Sequence, residues 1–123
     1  MITGAVNADL EATIPLIVRD ANAQEQEIEV LIDTGFSGFL TLPPSLIASL
    51  GLTWRGQEPG ILADGSMQLF DVYAATVIWD GQPRTVETDA AETEPLIGMG
   101  LIEGHDLRIQ AIAGGTVTIE ALP

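Results

Sequence analysis

Residues 31–43 read LIDTGFSGFLTLP, and this stretch decides the fold. Upstream of it, Ile28, Val30 and Ile32 alternate with Glu27 and Glu29, the period-two pattern of a half-buried strand. The strand runs directly into Asp33-Thr34-Gly35, and no charged residue follows from Thr34 to Trp54. Taken alone, Asp-Thr-Gly is a turn, because Asp and Gly favour turns and Thr bonds to nearby backbone. A turn placed for solubility would have polar neighbours. Asp33 instead follows Val30-Leu31-Ile32, where it would be partly desolvated and would need polar partners.

Working outward, Leu10, Ala12, Ile14, Leu16 and Val18 form a second alternating run, so a strand pair with a polar hairpin loop over Arg19 to Gln26 is expected. Phe39 to Leu42 reads as a short strand. Pro44 to Leu50 fits one or two helical turns or an irregular loop; proline at the start and Gly51 as a stop favour the helix. After Trp54 a Gly- and Pro-bearing connection is expected. A hairpin then follows, with Ala63-Asp64-Gly65-Ser66 between apolar Ile61-Leu62 and Met67 to Phe70. Asp71 to Trp79 and Arg84 to Thr88 form another strand pair around Asp80-Gly81-Gln82, and Glu87 to Glu94 reads as a solvated acidic loop. Pro95 to Ile102, PLIGMGLI, is the most apolar segment, and Thr116 to Leu122 closes the chain as a strand. The expected class is mostly β, a compact barrel-like domain with one or two short helices.

Composition narrows the chemistry. A chain of 123 residues argues for one domain over residues 1–123, large enough to bury a sizeable core. Cysteine is absent, there is one histidine, and the four basic residues are all arginines. Disulfides, thiolate nucleophiles, two-histidine metal sites, Schiff-base lysines and the P-loop lysine are thereby excluded. No metal and no cofactor are expected. The net charge of −14 repels phosphate backbones and anionic lipid surfaces, so neither nucleic acid nor membrane is an expected partner. The start, MITGAVNADLEA, has no basic n-region or apolar h-region, so no signal peptide is read and a cytoplasmic protein is expected. The uncharged run from Thr34 to Trp54 is broken by Gly35, Gly38, Gly51 and Pro43-Pro44, which argues against a membrane span.

In this context LIDTGFSGFLTLP resembles the active-site segment of aspartic proteases, in which apolar residues lead into Asp-Thr/Ser-Gly and then another strand. Leu96-Ile97-Gly98 matches the paired-hydrophobic-then-glycine element that passes beneath the catalytic loop in that family. The hairpin carrying Ala63, Asp64 and Gly65 lies between the two, where the family places its flap. The order of elements is similar to the retropepsin-like branch (clan AA) over nearly the whole chain. The helix followed by Leu50-Gly51-Leu52 looks like the bacterial single-domain type.

The resemblance implies a closed acid-protease β-barrel that is half of a two-fold dimer, and an endopeptidase whose water is activated by two Asp33 carboxylates, one per subunit. Thr34 would brace the two loops and Gly35 would allow close backbone approach. Phe36, Ala63, Asp64, Gly65 and Ile97 would contact an extended peptide, and Leu96, Ile97 and Gly98 would support the loop from below. The expected partners are a second copy of the chain and a peptide or protein substrate. Phe36 departs from the family, since pepsin-like sequences usually carry a small hydroxyl residue or alanine there. That departure keeps a second class open, a non-catalytic β-domain used for dimerisation or peptide binding. A hydrolytic triad through His105 lacks a G-x-S-x-G elbow, and Glu87 to Glu94 does not resemble an EF-hand loop.

Overall fold

The computed structural model describes residues 1–123. Ten strands and two short helices follow in the order β1 (Ile2–Val6), β2 (Ala12–Arg19), β3 (Glu25–Ile32), β4 (Leu40–Leu42), α1 (Pro44–Leu50), β5 (Thr53–Ile61), β6 (Met67–Trp79), β7 (Gln82–Ala90), β8 (Leu96–Ile97), α2 (Met99–Ile102), β9 (His105–Ile109) and β10 (Thr116–Ala121). Strands hold 55% of the residues and helices 9%, so the chain is mostly β. All ten strands join one sheet in the order β5-β6-β7-β4-β8-β3-β2-β1-β10-β9, and an added β2–β6 pairing turns the sheet back on itself. No helix is long and apolar enough to cross a membrane.

The alternation in β2 sends Ile14, Leu16 and Val18 inward, where they meet Val30, Leu40, Val77 and Ile97 in one hydrophobic cluster of 18 buried residues. Burying each such side chain contributes about 2 kcal/mol, which makes this cluster the main source of stability. In α1, Pro44 occupies the first turn, where a missing N–H costs nothing, and Gly51 stops the helix at φ 66°, a left-handed conformation that suits glycine. Its two buried residues, Ile47 and Leu50, lie one turn apart and face the core.

Four segments differ from the sequence expectation. The presumed connection after Trp54 is strand β5, paired with β6 from Thr53↔Ala74 to Ile61↔Met67. As an edge strand it tolerates Pro59, and the register shift between Trp54 and Gly56 absorbs Gly56 at φ 137°. The acidic segment begins in β7, which runs to Ala90 because Leu40, Thr41 and Leu42 pair with Thr88, Asp89 and Ala90. β1 pairs with β10 and β2, and its Gly4 crosses so close to the Thr13 carbonyl that no side chain fits. β9 is held by five consecutive partners in β10. His105, at its start, packs edge-on against Trp79 with ring centroids 5.7 Å apart, and its Nδ1 lies 3.1 Å from the Glu103 carbonyl oxygen. That gives the histidine a packing role.

Candidate active site

Asp33 leaves the end of β3, and its backbone N–H donates to the Ile97 carbonyl at 2.9 Å. Its Oδ1 accepts from the Gly35 N–H at 3.0 Å, and the Phe36 N–H donates to its carbonyl at 3.1 Å. These bonds wind residues 33–36 into a tight turn. The carboxylate is half-buried, while Thr34 and Gly35 are exposed on the surface of the chain.

The turn is held from below. β8 lies between β3 and β4, parallel to the first (Ile32↔Ile97) and antiparallel to the second (Leu40↔Ile97). Just beyond β8, three consecutive N–H groups donate back to the loop: Gly98 to Phe39 at 3.1 Å, Met99 to Phe36 at 2.7 Å and Gly100 to Gly38 at 3.0 Å. This approach leaves no space at Gly98, where an added Cβ would sit 2.4 Å from the Gly38 carbonyl oxygen and 2.6 Å from that of Phe36. The Phe36 ring folds onto Gly38 and Gly98, so close that a Cβ on Gly38 would lie 2.4 Å from Cζ. Arg84 completes the support, with its guanidinium 5.6 Å from the Phe39 ring centroid and Nη1 3.4 Å from the Leu101 carbonyl oxygen.

Beside Asp33 an open groove of about 480 Å³ is lined by eleven residues, eight of them hydrophobic. β3 contributes Leu31 and Ile32, β8 contributes Leu96, and the turn into β2 contributes Leu10 and Glu11. No group of three or more His, Asp or Glu side chains is arranged to hold a metal ion.

β5 and β6 extend as a long hairpin whose tip, Leu62 to Ser66, is exposed. The tip closes through Leu62 N–H to Ser66 O at 2.8 Å and Gly65 N–H to Leu62 O at 2.9 Å, with Gly65 at φ 84°. Asp64 Oδ1 accepts from the Ser66 hydroxyl at 2.5 Å and from the Ser66 N–H at 2.9 Å. Those bonds, the hydroxyl first, hold the Asp64 carboxyl below the usual carboxylate range, so the tip stays negative into acid.

Where the hairpin meets the body, a smaller pocket of about 200 Å³ includes Thr41, Glu58, Phe70 and Asp89. Asp89 is half-buried, and burial first, then the charges of Glu58 and Glu87, raise its pKa above the ordinary 3.8. A raised folded-state value means that the fold prefers the protonated acid. The stability it lends is fully present below the ordinary carboxylate range and is lost as pH rises through the raised value. Asp89→Asn therefore increases Tm at neutral pH, and the gain vanishes in acid. Thermal melts of both proteins across pH check this, and a mutant less stable at pH 7 contradicts it.

No family model and no characterised protein sequence matches the chain. Solved structures do share its architecture, among them the following two. A retropepsin-like aspartic protease from Rickettsia conorii superposes with a TM-score of 0.65 at 19% identity, covering 99% of this chain and 92% of its own. EIAV protease complexed with the inhibitor HBY-793 gives a TM-score of 0.60 at 19% identity, covering 79% of this chain and 89% of its own. The fold is retropepsin-like.

Within this retropepsin-like fold the expected residues fall into three places. Asp33, Thr34, Gly35 and Phe36 form the turn at the end of β3, with Leu96, Ile97 and Gly98 directly beneath. Ala63, Asp64 and Gly65 form the tip of the β5–β6 hairpin, a separate place in the chain. Ile97, expected to contact substrate, is fully buried and points into the core, whereas its neighbour Leu96 lines the groove. Period two decides this, since adjacent strand residues face opposite sides. The sequence expectation missed Leu10, Glu11, Leu31, Ile109 and Ala111 as groove residues. Only one of them, Glu11, carried a signal, as the single charged residue between Asp9 and Arg19.

Proposed function

We propose that the chain is an aspartic endopeptidase, with residues 1–123 as one retropepsin-like domain and a two-fold homodimer as the active unit. One observation carries this reading. Asp33-Thr34-Gly35 is the single Asp-x-Gly of the chain, and it sits on a braced turn at the surface of a retropepsin-like fold, Asp33 half-buried and Thr34 and Gly35 exposed. Two carboxylates are needed for the chemistry, so the second is the partner subunit's Asp33. Two such groups a few ångströms apart share one proton, because both cannot readily be ionised together. The ionised member takes a proton from water, which attacks the peptide carbonyl, and the protonated member donates to the carbonyl oxygen. Thr34 braces the facing loops, and Gly35 lets the backbones approach. Leu96 takes the substrate contact first assigned to Ile97. The peptide lies extended beneath the hairpin tip of Ala63, Asp64 and Gly65, where backbone hydrogen bonds supply affinity.

Phe36, which favoured a non-catalytic module, has a packing role over Gly38 and Gly98 that suits either reading. A dilution series separates them. Peptide hydrolysis per subunit falls as dilution drives the dimer apart in sedimentation; undiminished activity from a monomer overturns the dimer, and no hydrolysis at any concentration favours the binding module.

Charge sets the conditions. A dimer carries −28, twice the −14 of one chain, and self-repulsion opposes assembly. The dimer accordingly tightens as the pH falls from 7 toward the pI of about 4.1. Salt helps most at neutral pH, because it screens over a Debye length of ~10 Å at 0.1 M. Dissociation constants at two pH values and two salt concentrations test this, and a dimer that weakens with salt shows attractive interface ion pairs in control.

A further inference from the structure

We propose that the groove beside Asp33 is a subsite for a basic side chain of the substrate, with Glu11 as its specificity-determining residue; the proposal rests on the protease reading. The groove wall is apolar, and its three polar residues are Asp33, Thr34 and Glu11. No cation lines it. Elsewhere in the chain, Arg19 lies 3.7 Å from Glu25, Arg108 lies 3.4 Å from Asp106, Arg84 covers Phe39, and Arg55 lies in β5, outside the groove lining. Glu11 is thus a half-buried carboxylate on an apolar surface without a cationic partner, an arrangement costly unless a ligand completes it.

The carboxylate is also held in place. Asn7 Nδ2 donates to Glu11 Oε1 at 3.1 Å, while Asn7 Oδ1 accepts from the backbone N–H groups of Glu11 at 2.9 Å and Asp9 at 3.0 Å. The Asn7 N–H donates to the Glu11 carbonyl at 2.9 Å, and Leu10 adopts φ 61°, a left-handed conformation that a leucine enters only when its surroundings impose it. This turn presents Leu10 at the groove edge and fixes Glu11 beside it, leaving Oε2 free to accept. An arginine or lysine fits both features, with its alkyl stem along Leu31 and Leu96 and its cation at Glu11. A substrate acid meets two like charges, Glu11 and the Asp33 pair, and is rejected.

The test uses matched peptides that differ at a residue flanking the scissile bond, with lysine, arginine, norleucine or glutamate. Norleucine keeps the alkyl stem of lysine and removes the charge. Wild type is expected to cleave the basic peptides about tenfold faster in kcat/KM than the norleucine peptide. In Glu11→Gln that ratio falls to about one, and in Glu11→Lys the glutamate peptide overtakes the basic ones. Cleavage without a charge preference, or a preference that survives Glu11→Gln, overturns the subsite and leaves the protease reading standing. Cleavage of no peptide overturns the protease reading, and the subsite with it. If the partner subunit fills the groove instead, Glu11→Gln shifts the dimer dissociation constant and leaves the peptide ratio unchanged, which also overturns the subsite.

Discussion

Asp33→Asn abolishes peptide cleavage while the fold and the dimer persist. The amide has the shape of the carboxylate, and its oxygen still accepts the Gly35 N–H that winds the turn. What disappears is the group that takes and returns the proton, so kcat/KM is expected to fall roughly 10⁴-fold. Circular dichroism and sedimentation on the same sample separate this loss from unfolding. Mixing supplies a sharper check. An excess of Asp33→Asn subunits draws wild type into mixed dimers with one carboxylate, so activity falls below simple dilution. A statyl inhibitor, whose hydroxyl takes the place of the attacking water, binds wild type more tightly than the mutant. Equal cleavage by the purified mutant removes Asp33 from the chemistry and favours a binding module.

Gly98→Ala has the largest expected effect on stability. The backbone at Gly98 is extended, with φ −112° and ψ 178°, so the restriction is space and not conformation. The new methyl would meet Gly38 O at 2.4 Å, Phe36 Cδ2 at 2.5 Å and Phe36 O at 2.6 Å. The Phe36 ring can turn aside, but the two carbonyls belong to the clamp of N–H donors from residues 98–100. Making room separates β8 from the Asp33 turn. A loss of about 3 kcal/mol is expected, equivalent to roughly 10 °C in Tm. Activity falls more than the folded fraction does, because the turn that aims Asp33 loosens first. Gly65→Ala is the comparison: a Cβ there meets nothing within 4 Å, and only the φ of 84° penalises it, by about 1 kcal/mol. Melts of both mutants beside activity decide the matter. Equal Tm values would show that the clamp has slack.

The strands that carry their own hydrophobic alternation were legible in the chain. β2, β3 and the paired halves of β6 and β7 follow from residues such as Ile14, Leu16, Val18, Val30 and Val77, each buried at the alternate positions. The Leu96-Ile97-Gly98 support was legible only through the resemblance to aspartic proteases, whereas the Asp-Thr-Gly turn, the Asp64-Gly65 hairpin and the Pro44–Leu50 helix were legible for a related reason. Each of these three rests on local chemistry, namely a turn residue, a helix stop or an apolar run. The mostly β class followed from these parts, and their order carried the resemblance to the retropepsin-like branch.

β1, β5 and β9 were not legible, because their sequences lack a strand signature. Gly4 in β1, Gly56, Pro59 and Gly60 in β5, and alternating charge in β9 all read as connection, and pairing with β10, β6 and β2 overrides that local preference. The same division holds at the candidate site. The sequence by itself determined that an acid would stand at the end of an apolar strand with few other reactive groups in the chain. Tertiary structure alone decided which neighbour faces the groove, sending Leu96 outward and Ile97 into the core. It also brought Glu11 and Ile109, from opposite ends of the chain, beside Asp33. Local pattern records which residues want burial; only the closing of the sheet, which sets strand order and register, assigns them a common surface.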